Sequence, residues 1–490
     1  MAKFYITNAI PYVNAKPHIG HALEFVQSDA IARYHRILGD DVTLLCGGDE
    51  NALKNVQAAE VEKMPVQEFV NKNAQLFYDL SKKLNVEFDI WQKGSDAKHY
   101  SSSQKLWQLC AAGGDIYKKS YKGLYCVGCE LFYTKEELNE NGECFEHPGI
   151  KLQEVEEENY FFKLSKYQNQ LLKIIDSDKY EIAPLFRKNE VLSFIKSGLE
   201  DFSVSRSNER AKNWGVPVPN DNTQRMYVSF GALNIYQSGI GFGSPKANEI
   251  EKYKKLWPAD LHVIGKGIIR FHAIYWPAIL LSAGLALPKK LFVHEYFTVN
   301  GQKMSKTLGN VIDPIVFIEK YSADALRYYC LAKFSPFSDG DFSEDKFKEV
   351  YNADLANGLG NLIARVAKLC ETSNYQQLGS QSRVSGHLLN VEEYSEAFSE
   401  YRFNDALSFV WKKISDLDKF INDEKPWEHL KNSKFEILNS KLQAVLAHAV
   451  YQIQEISGLL EPFLPETAKR IESQFRGPKI ISQKSLFPRI

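Results

Sequence analysis

Two histidines and two lysines in this sequence have the types and spacing of phosphate-binding groups. His18 and His21 lie where a proline-rich loop meets a helical pattern, and the N–H groups and dipole of a helix N-terminus attract anions. Lys303 and Lys306 lie far along the chain, in a polar loop of a kind that can close over a triphosphate. Each pair by itself is also typical of an ordinary solvated surface, so the prediction of a nucleotide site depends on their combination.

Three cysteines and one histidine form a second set of chemically active residues. Cys126 and Cys129 are separated by two residues, as are Cys144 and His147. Two such pairs joined by a loop supply the four ligands of a tetrahedral zinc ion. Because four protein ligands leave no open coordination position, we expect one structural zinc that holds this segment together.

The elements that must position these residues begin as an α/β pattern. Phe4–Thr7 reads as a buried strand, and a helical pattern follows from about His21 to Leu38. Asp41–Cys46 is a second short apolar strand, and Ala52–Lys83 has helical periodicity. This alternation favours a doubly wound, Rossmann-type parallel sheet, whose ligands bind beyond the carboxyl ends of the strands.

The segment from Lys118 to Lys151 interrupts this pattern. Its short pieces are rich in Gly, Cys and Glu and cannot bury a core without a staple. The α/β pattern resumes at Met226–Val228 and Leu261–Gly265, followed by a long apolar helix from about Ile268 to Ala283. We therefore predict an α/β domain that is split by a zinc-binding insertion.

The last third of the chain is predicted to be an α-helical bundle. Leu355–Thr372, Phe403–Asp423 and Ile437–Leu460 are amphipathic stretches with short polar connections, whereas Ser373–Val391 looks loosely ordered. The predicted boundaries are 1–115 and 226–295 for the two halves of the α/β domain, 116–225 for the insertion, 296–345 for the lysine loop region and 346–490 for the bundle.

Composition excludes several classes of protein. Of the 490 residues, 44% are hydrophobic and 25% charged, as in globular proteins, and no apolar run reaches the roughly 20 residues that cross a bilayer. A net charge of -1 neither supports nor excludes a nucleic-acid partner. The first residues pass directly into a strand-like run, so we expect no secretory signal and a cytosolic protein. The remaining cysteines are expected to be buried thiols: Cys46, Cys110, Cys330 and Cys370.

The two phosphate-binding segments resemble the signature motifs of the class I aminoacyl-tRNA synthetases. His18–His21 reads His-Ile-Gly-His, and Lys303–Lys306 reads Lys-Met-Ser-Lys, so that only Thr307 departs from the family's HIGH and KMSKS motifs. Four further segments narrow the resemblance to the methionyl-tRNA synthetases, and the resemblance covers essentially the whole chain: Asn8–Tyr12, Trp276–Ala278, Phe292–His294 and Asp324–Tyr329.

The resemblance implies a two-step reaction. Methionine and ATP would form methionyl-adenylate and pyrophosphate with the help of Mg²⁺, and methionine would then pass to the 2′-hydroxyl at the 3′ end of tRNA(Met). Fixed cations assist the first step, since two anions must meet and charge moves onto pyrophosphate. The family assigns catalysis to His18, His21, Lys303 and Lys306, and ATP binding also to Gly20, Gly265 and Ser305.

The resemblance also supplies binding residues for methionine and for the anticodon. Asp49 would bind the ammonium group within an apolar pocket formed by Ile10, Pro11, Tyr12, Tyr236, Ile268, His272 and Trp276. Asn361, Arg365 and Trp427 match the positions that read the anticodon, where an aromatic face stacks a base and polar groups bind its edge. Arg206, Arg210 and Lys212 are candidates for the acceptor stem, or simply a solvated face.

Several positions depart from the family. Ser229 stands where a tryptophan is usual and Gly231 where a carboxylate is usual, which predicts a wider methionine pocket. Gly267 replaces an aspartate, and Asn51-Ala52 replaces His-Gly. An amino-acid-activating paralogue with altered substrate choice is therefore one alternative, and a catalytically silent tRNA-binding module is another. We expect a monomer without a hydrolytic editing domain or an appended C-terminal module.

Overall fold

The computed structural model describes residues 1–129, 131–145, 147, 149–304, 309–377, 391–431 and 436–490. They form two compact units. The first comprises Met1–Pro17, Asp41–Leu80 and Glu87–His294, and the second comprises His18–Asp40, Ser81–Val86 and Glu295–Ile490. No helix in the described ranges is both long and apolar enough to cross a membrane.

The strands of the first unit are β1 (Lys3–Asn8), β2 (Asp41–Gly48), β3 (Ile90–Lys93), β4 (Ile116–Cys126), β5 (Leu131–Tyr133), β6 (Gln153–Phe162), β7 (Glu181–Ala183), β8 (Phe202–Ser203), β9 (Ser205–Ser207), β10 (Pro217–Val218), β11 (Asp221–Met226), β12 (Leu261–Gly265) and β13 (Lys290–His294). Those of the second unit are β14 (Phe297–Val299), β15 (Gln302–Lys303) and β16 (Gly340–Phe342).

In chain order, the helices before His294 are α1 (Ile19–Ile37), α2 (Leu53–Val61), α3 (Val66–Lys83), α4 (Ala97–Ala112), α5 (Gln168–Asp176), α6 (Leu185–Lys196), α7 (Asn208–Ala211), α8 (Val228–Gly231), α9 (Ile235–Ser238), α10 (Ala247–Leu256) and α11 (Trp276–Ser282). Of these, α1 belongs to the second unit. They continue with α12 (Pro314–Tyr321), α13 (Ala323–Ala332), α14 (Glu344–Val350), α15 (Asn361–Thr372), α16 (Glu392–Ser399), α17 (Phe403–Glu424), α18 (Pro426–Lys431), α19 (Glu436–Leu460) and α20 (Pro465–Phe475).

A six-stranded parallel sheet organises the first unit, in the order β3-β2-β1-β12-β13-β7. Its inner strand β12 is wholly buried, as expected of a parallel strand covered on both faces. Strand order reverses between β1 and β12, and open α/β sheets bind ligands beyond the carboxyl ends of strands at such a point. The predicted doubly wound sheet is confirmed, and its switch point is the edge where a ligand is expected.

Two predictions about the strands of this unit are wrong. Met226 ends β11, which pairs with β9 and β10 in a separate antiparallel sheet, and α8 starts at Val228. Between β3 and β12 the chain therefore adds only the short edge strand β7 to the parallel sheet. The Cys-rich segment is also less fragmented than predicted, because β4 and β6 pair over ten residues within the four-stranded antiparallel sheet β5-β4-β6-β8.

In the residues that the structure describes, the second unit is helical apart from the small sheet β15-β14-β16. The predicted helices match α15, α17 and α19, and a π-helix, Tyr351–Gly360, precedes α15. Within this unit Asp29 on α1 forms an ion pair with Arg327 on α13, with 2.7 Å between Oδ2 and Nη2 and neither side chain exposed. Residues 378–390 of the stretch expected to be loosely ordered lie outside the described residues.

Candidate active site

The two motif histidines of the second unit cap the helix that follows them. His18 is the N-cap residue of α1, and its Nδ1 accepts a hydrogen bond of 3.1 Å from the Gly20 N–H. The Nδ1 of His21 accepts one of 3.1 Å from the His18 N–H, and the two rings lie 3.8 Å apart. Since each neutral imidazole carries its proton on the nitrogen that is not accepting, both rings are set to donate from Nε2.

Burial keeps His21 uncharged at neutral pH. Desolvation, with a smaller contribution from the nearby His18, lowers the pKa of His21 well below its ordinary value of 6.5. Gly20 gives this arrangement its room, because a Cβ there would lie only 3.0 Å from His18 Cε1. The helix N-terminus therefore presents hydrogen-bond donors and a positive dipole end to an anion without a charged imidazole at His21.

The lysine loop of the second unit starts close to this helix. A Cβ on Gly20 would lie 3.6 Å from Cε of Met304, so the two motifs meet within one unit. Lys303 ends β15 and is exposed. Ser305 and Lys306 lie outside the described residues, as does Thr307.

A separate cavity in the first unit is lined by six of the eight predicted methionine-binding residues: Ile10, Tyr12, Asp49, Tyr236, Ile268 and His272. They come from the segments that follow β1, β2 and β12 and from α9. Tyr12 and Asp49 form an isolated parallel bridge, and Asp49 N–H donates to the Pro11 carbonyl at 2.9 Å. Backbone pairing beyond the strand ends thus holds the carboxylate beside the aromatic ring.

A tyrosine and a histidine form the polar part of this cavity. The hydroxyl of Tyr236 lies 2.8 Å from Nε2 of His272, and Nδ1 of His272 lies 2.9 Å from the Ile268 carbonyl. A carbonyl can only accept, so Nδ1 carries the proton and Nε2 accepts from the tyrosine. Burial lowers the pKa of His272 from 6.5 to about 4, which keeps the ring neutral.

Pro11 and Trp276 are not among the described residues that line the cavity. Pro11 contributes the carbonyl described above. Trp276 is wholly buried in the core of the unit and packs edge-to-face on Trp257, with 6.1 Å between ring centroids. The structure thus places one predicted pocket residue in the core.

Sequence reasoning missed four lining residues, namely Val228, Ala232, Leu233 and Phe271. Phe271 could have been found, because Ile268, Phe271 and His272 have the i, i+3, i+4 spacing of one helical face. Val228 is the first residue of α8, which carries the unusual Ser229 and Gly231, and Ala232 and Leu233 follow that helix directly.

The structure shows the surroundings of the residues that depart from the family pattern. Ser229 is 1% exposed, and a Cβ on Gly231 would meet no atom closer than 3.8 Å. Asn51 has a structural contact instead, since its Nδ2 donates to the Gly94 carbonyl at 2.7 Å. Gly265 ends β12 at the switch point of the sheet, with Gly267 in the short helical turn beyond it.

The predicted metal ligands converge within the first unit. The ligand atoms of Cys126, Cys129, Cys144 and His147 all lie within 4.8 Å of one another. The Cys126 and Cys144 sulfurs are 3.3 Å apart, and Cys129 Sγ lies 3.2 Å from His147 Nδ1. A tetrahedron with Zn–S bonds of about 2.3 Å has edges of about 3.8 Å, so this donor set fits a four-coordinate zinc. Tyr133 adds a hydroxyl that donates to Cys129 Sγ at 3.1 Å.

The predicted anticodon residues lie on two packed helices of the second unit. Asn361 and Arg365 lie one turn apart on α15, and Trp427 is half-buried on α18, which packs against α15. Arg365 already binds α17, with Nη2 2.7 Å from Asp418 Oδ1. This ion pair orients the guanidinium.

The three basic residues considered for the acceptor stem all make contacts within the protein. Arg206 is wholly buried and donates to the Asn51 carbonyl at 3.1 Å, so it lies on no solvated or tRNA-facing surface and that prediction is wrong. Arg210 pairs with Glu157 at 2.8 Å, and Lys212 pairs with Glu60. The predicted burial of the four remaining thiols is confirmed.

Comparison with known proteins yields consistent matches. A family model described as tRNA synthetases class I (M) matches residues 4–367. The methionine–tRNA ligase of Thermotoga maritima is 40% identical over 479 residues, which cover 96% of this chain and 74% of that protein. That of Brucella suis biovar 1 is 37% identical over 480 residues, or 91% of its length. Mycobacterium tuberculosis methionyl-tRNA synthetase in complex with methionyl-adenylate superposes with a TM-score of 0.92 at 35% identity, covering 100% of both chains.

Proposed function

Because this chain belongs to the class I tRNA synthetases (M), we propose that it is a methionine–tRNA ligase. It activates methionine with ATP to methionyl-adenylate and pyrophosphate, and then transfers methionine to the 3′ end of tRNA(Met). Relatives named for this reaction, and a solved relative in complex with methionyl-adenylate, support the proposal. Family membership also confirms the resemblance inferred from the two motifs.

The cavity in the first unit is the main structural support for methionine as the amino-acid substrate. Asp49 offers a carboxylate to the substrate ammonium, and Ile10, Tyr12 and Ile268 offer apolar surface to its side chain. Sulfur packs well on aromatic edges, and the Tyr236–His272 pair gives the thioether a polar neighbour without a charge. A pocket of this composition suits a long, unbranched, uncharged side chain.

Adenylate formation needs charge stabilisation more than proton transfer. The methionine carboxylate attacks the α-phosphorus of ATP, and the bond to the bridging oxygen of pyrophosphate breaks. His18 and His21 donate hydrogen bonds to phosphate oxygens at the α1 N-terminus. Lys303 and Lys306 stabilise the charge that develops on the departing pyrophosphate, and Mg²⁺ accompanies ATP.

We assign a structural zinc to Cys126, Cys129, Cys144 and His147, since the four ligands fill its coordination sphere. Zinc holds the insertion in its fold and takes no part in the reaction. At the other end of the chain, Asn361 and Arg365 bind base edges of the anticodon, and Trp427 stacks on a base.

The proposal is tested by ATP–pyrophosphate exchange with each amino acid in turn. Exchange should depend on methionine, and Lys303→Ala should lower its kcat about a hundredfold, as loss of a transition-state contact does. Lys368→Ala, at an exposed lysine that pairs with Glu371, is the matched control and should leave exchange unchanged. If another amino acid drives exchange, that amino acid is the substrate and the assignment of methionine is wrong. If no amino acid drives exchange, the proposal is overturned.

Recognition of tRNA is tested separately. Trp427→Ala should raise the KM for tRNA(Met) in the charging reaction about tenfold, since stacking on one base contributes about 1–3 kcal/mol. Pyrophosphate exchange, which needs no tRNA, should stay at the parent rate. An unchanged KM for tRNA would remove Trp427 from the anticodon site.

A further inference from the structure

Lys54 joins the wall of the cavity to the thiolate cluster. Its Nζ lies 2.9 Å from the centroid of the Tyr12 ring. The same Nζ donates to the Gly128 carbonyl at 3.2 Å. Tyr12 lines the cavity, and Gly128 lies between the metal ligands Cys126 and Cys129. One half-buried ammonium thus contacts both features within the first unit.

The helix that carries Lys54 does not favour a cation at this place. Lys54 is the second residue of α2, where the positive end of the helix dipole disfavours a positive charge. A cation over a tyrosine ring is stabilised most where water is excluded, and a hydrogen bond from a charged donor adds to this stabilisation. Contacts beyond the helix therefore decide where the ammonium lies.

The carbonyl that Lys54 binds is fixed by the ligand cluster. A Cβ on Gly128 would lie 2.6 Å from the His147 ring, so the backbone at Gly128 packs directly on a ligand side chain. When the metal orders Cys126, Cys129 and His147, it also orders the peptide between the two cysteines. Gly128 then presents its carbonyl to Lys54 in one direction.

The ring at the other end of this chain of contacts forms part of the substrate pocket. Tyr12 follows β1 and forms a backbone bridge with Asp49, the proposed partner of the substrate ammonium. An ammonium on the ring centroid restricts the tilt of the ring, whereas rotation of the ring would change the width of the cavity.

We propose that Lys54 is a positioning residue that couples metal occupancy of the cysteine–histidine cluster to the affinity for methionine. It holds the Tyr12 ring in the orientation that binds the amino acid and takes its own position from the Gly128 carbonyl. Lys54 acts through the Tyr12 ring and takes no part in the chemical step. The inference rests on the proposed function, because it concerns the methionine pocket of that enzyme.

The first test substitutes Lys54 in the zinc-loaded protein. Lys54→Met keeps a long, unbranched side chain and removes its charge, and should raise the KM for methionine about tenfold while kcat and the KM for ATP stay within about twofold of the parent. Lys54→Arg keeps a cation over the ring and should recover most of the methionine affinity. Lys72→Met, at an exposed lysine paired with Glu62, is the matched control and should match the parent.

The second test measures coupling by titration calorimetry of methionine, which does not require turnover. Zinc removal should raise the Kd for methionine about tenfold in the parent. In Lys54→Met the increase should be less than about threefold, because this variant already lacks the ammonium that contacts both Tyr12 and Gly128. Equal effects of zinc removal in the two proteins would overturn the proposal. Circular dichroism would show whether zinc removal unfolds the insertion. If it does, the methionine KM values of the zinc-loaded Lys54→Met and Lys54→Arg proteins test the role of Lys54 instead.

Failure of the coupling differs from failure of the proposed function. A parent that binds methionine, with Lys54→Met binding it equally well, would overturn the role of Lys54 and leave the enzyme assignment intact. A parent that binds no methionine would overturn both. A Lys54→Met protein that contains less zinc per chain than the parent would show that Lys54 stabilises the metal cluster itself, and would also overturn the positioning role.

Discussion

Acid should destabilise this protein through its buried histidines, and His99 offers the clearest test. His99 lies on α4 and is wholly buried, with Nδ1 2.9 Å from Ser238 Oγ and Nε2 3.4 Å from Ser103 Oγ. Burial lowers its pKa from 6.5 to about 4, because a charged ring would lose its hydration. His99 therefore folds neutral and accepts a proton readily only when the protein unfolds.

The sign and the size of the effect follow from linkage. Between pH 6.5 and pH 4 the unfolded state binds more protons at this position than the folded state, so stability falls as the pH falls. With a pKa of about 4 in the folded state and 6.5 in the unfolded state, His99 alone lowers the free energy of unfolding by about 2 kcal/mol between pH 7.5 and pH 5.

The assay compares urea unfolding of the parent and His99→Gln at pH 7.5 and pH 5, at equal ionic strength. Whatever the substitution costs at pH 7.5, the variant should lose about 2 kcal/mol less than the parent on acidification. His448→Gln, at an exposed histidine on α19, is the matched control and should follow the parent. Equal losses in the parent and His99→Gln would refute the reasoning.

Three further predictions concern other contacts. Asp29→Asn should lower the free energy of unfolding by about 3–5 kcal/mol, measured in urea at pH 7.5, because it leaves the charge of the buried Arg327 without its carboxylate. Cys144→Ser should reduce the zinc content below one per chain, measured by atomic absorption, and lower the melting temperature, because metal binding contributes to folding. Tyr236→Phe should raise the KM for methionine in exchange about tenfold, because Nε2 of His272 loses its buried donor at a cost of about 1–3 kcal/mol.

Each of these has a control or a refuting result. Glu319→Gln removes an exposed ion pair with Lys83 and should change stability by less than about 1 kcal/mol. Full zinc content in Cys144→Ser would show that this cysteine is not a ligand. Tyr253→Phe removes a tyrosine hydroxyl from the core away from the cavity lining and should leave the methionine KM at the parent value.

The inner strands were predictable because a parallel strand buried on both faces is a continuous apolar run. β1 and β12 start and end within one residue of their predicted bounds. The sequence did not predict β7 and β4, because these strands lack such an apolar run. β7 has only three residues, and β4 exposes much of its length, so neither carries an apolar pattern.

The sequence by itself determined the groups whose chemistry is local. His18 and His21 lie one helical turn apart and can cap the same N-terminus, and the two close ligand pairs form a metal set wherever the loop between them closes. Spacing carries this information because a turn or a helix fixes the distance between neighbours along the chain.

Only the tertiary structure decided which distant side chains meet. Tyr236 and His272 are separated by 36 positions, and Lys54 and Gly128 by 74. Over such separations the chain does not restrict the distance between side chains, and packing of the core selects the pairs. For that reason the sequence identified Tyr236 and His272 as pocket residues but not their hydrogen bond, and it gave no sign of Lys54.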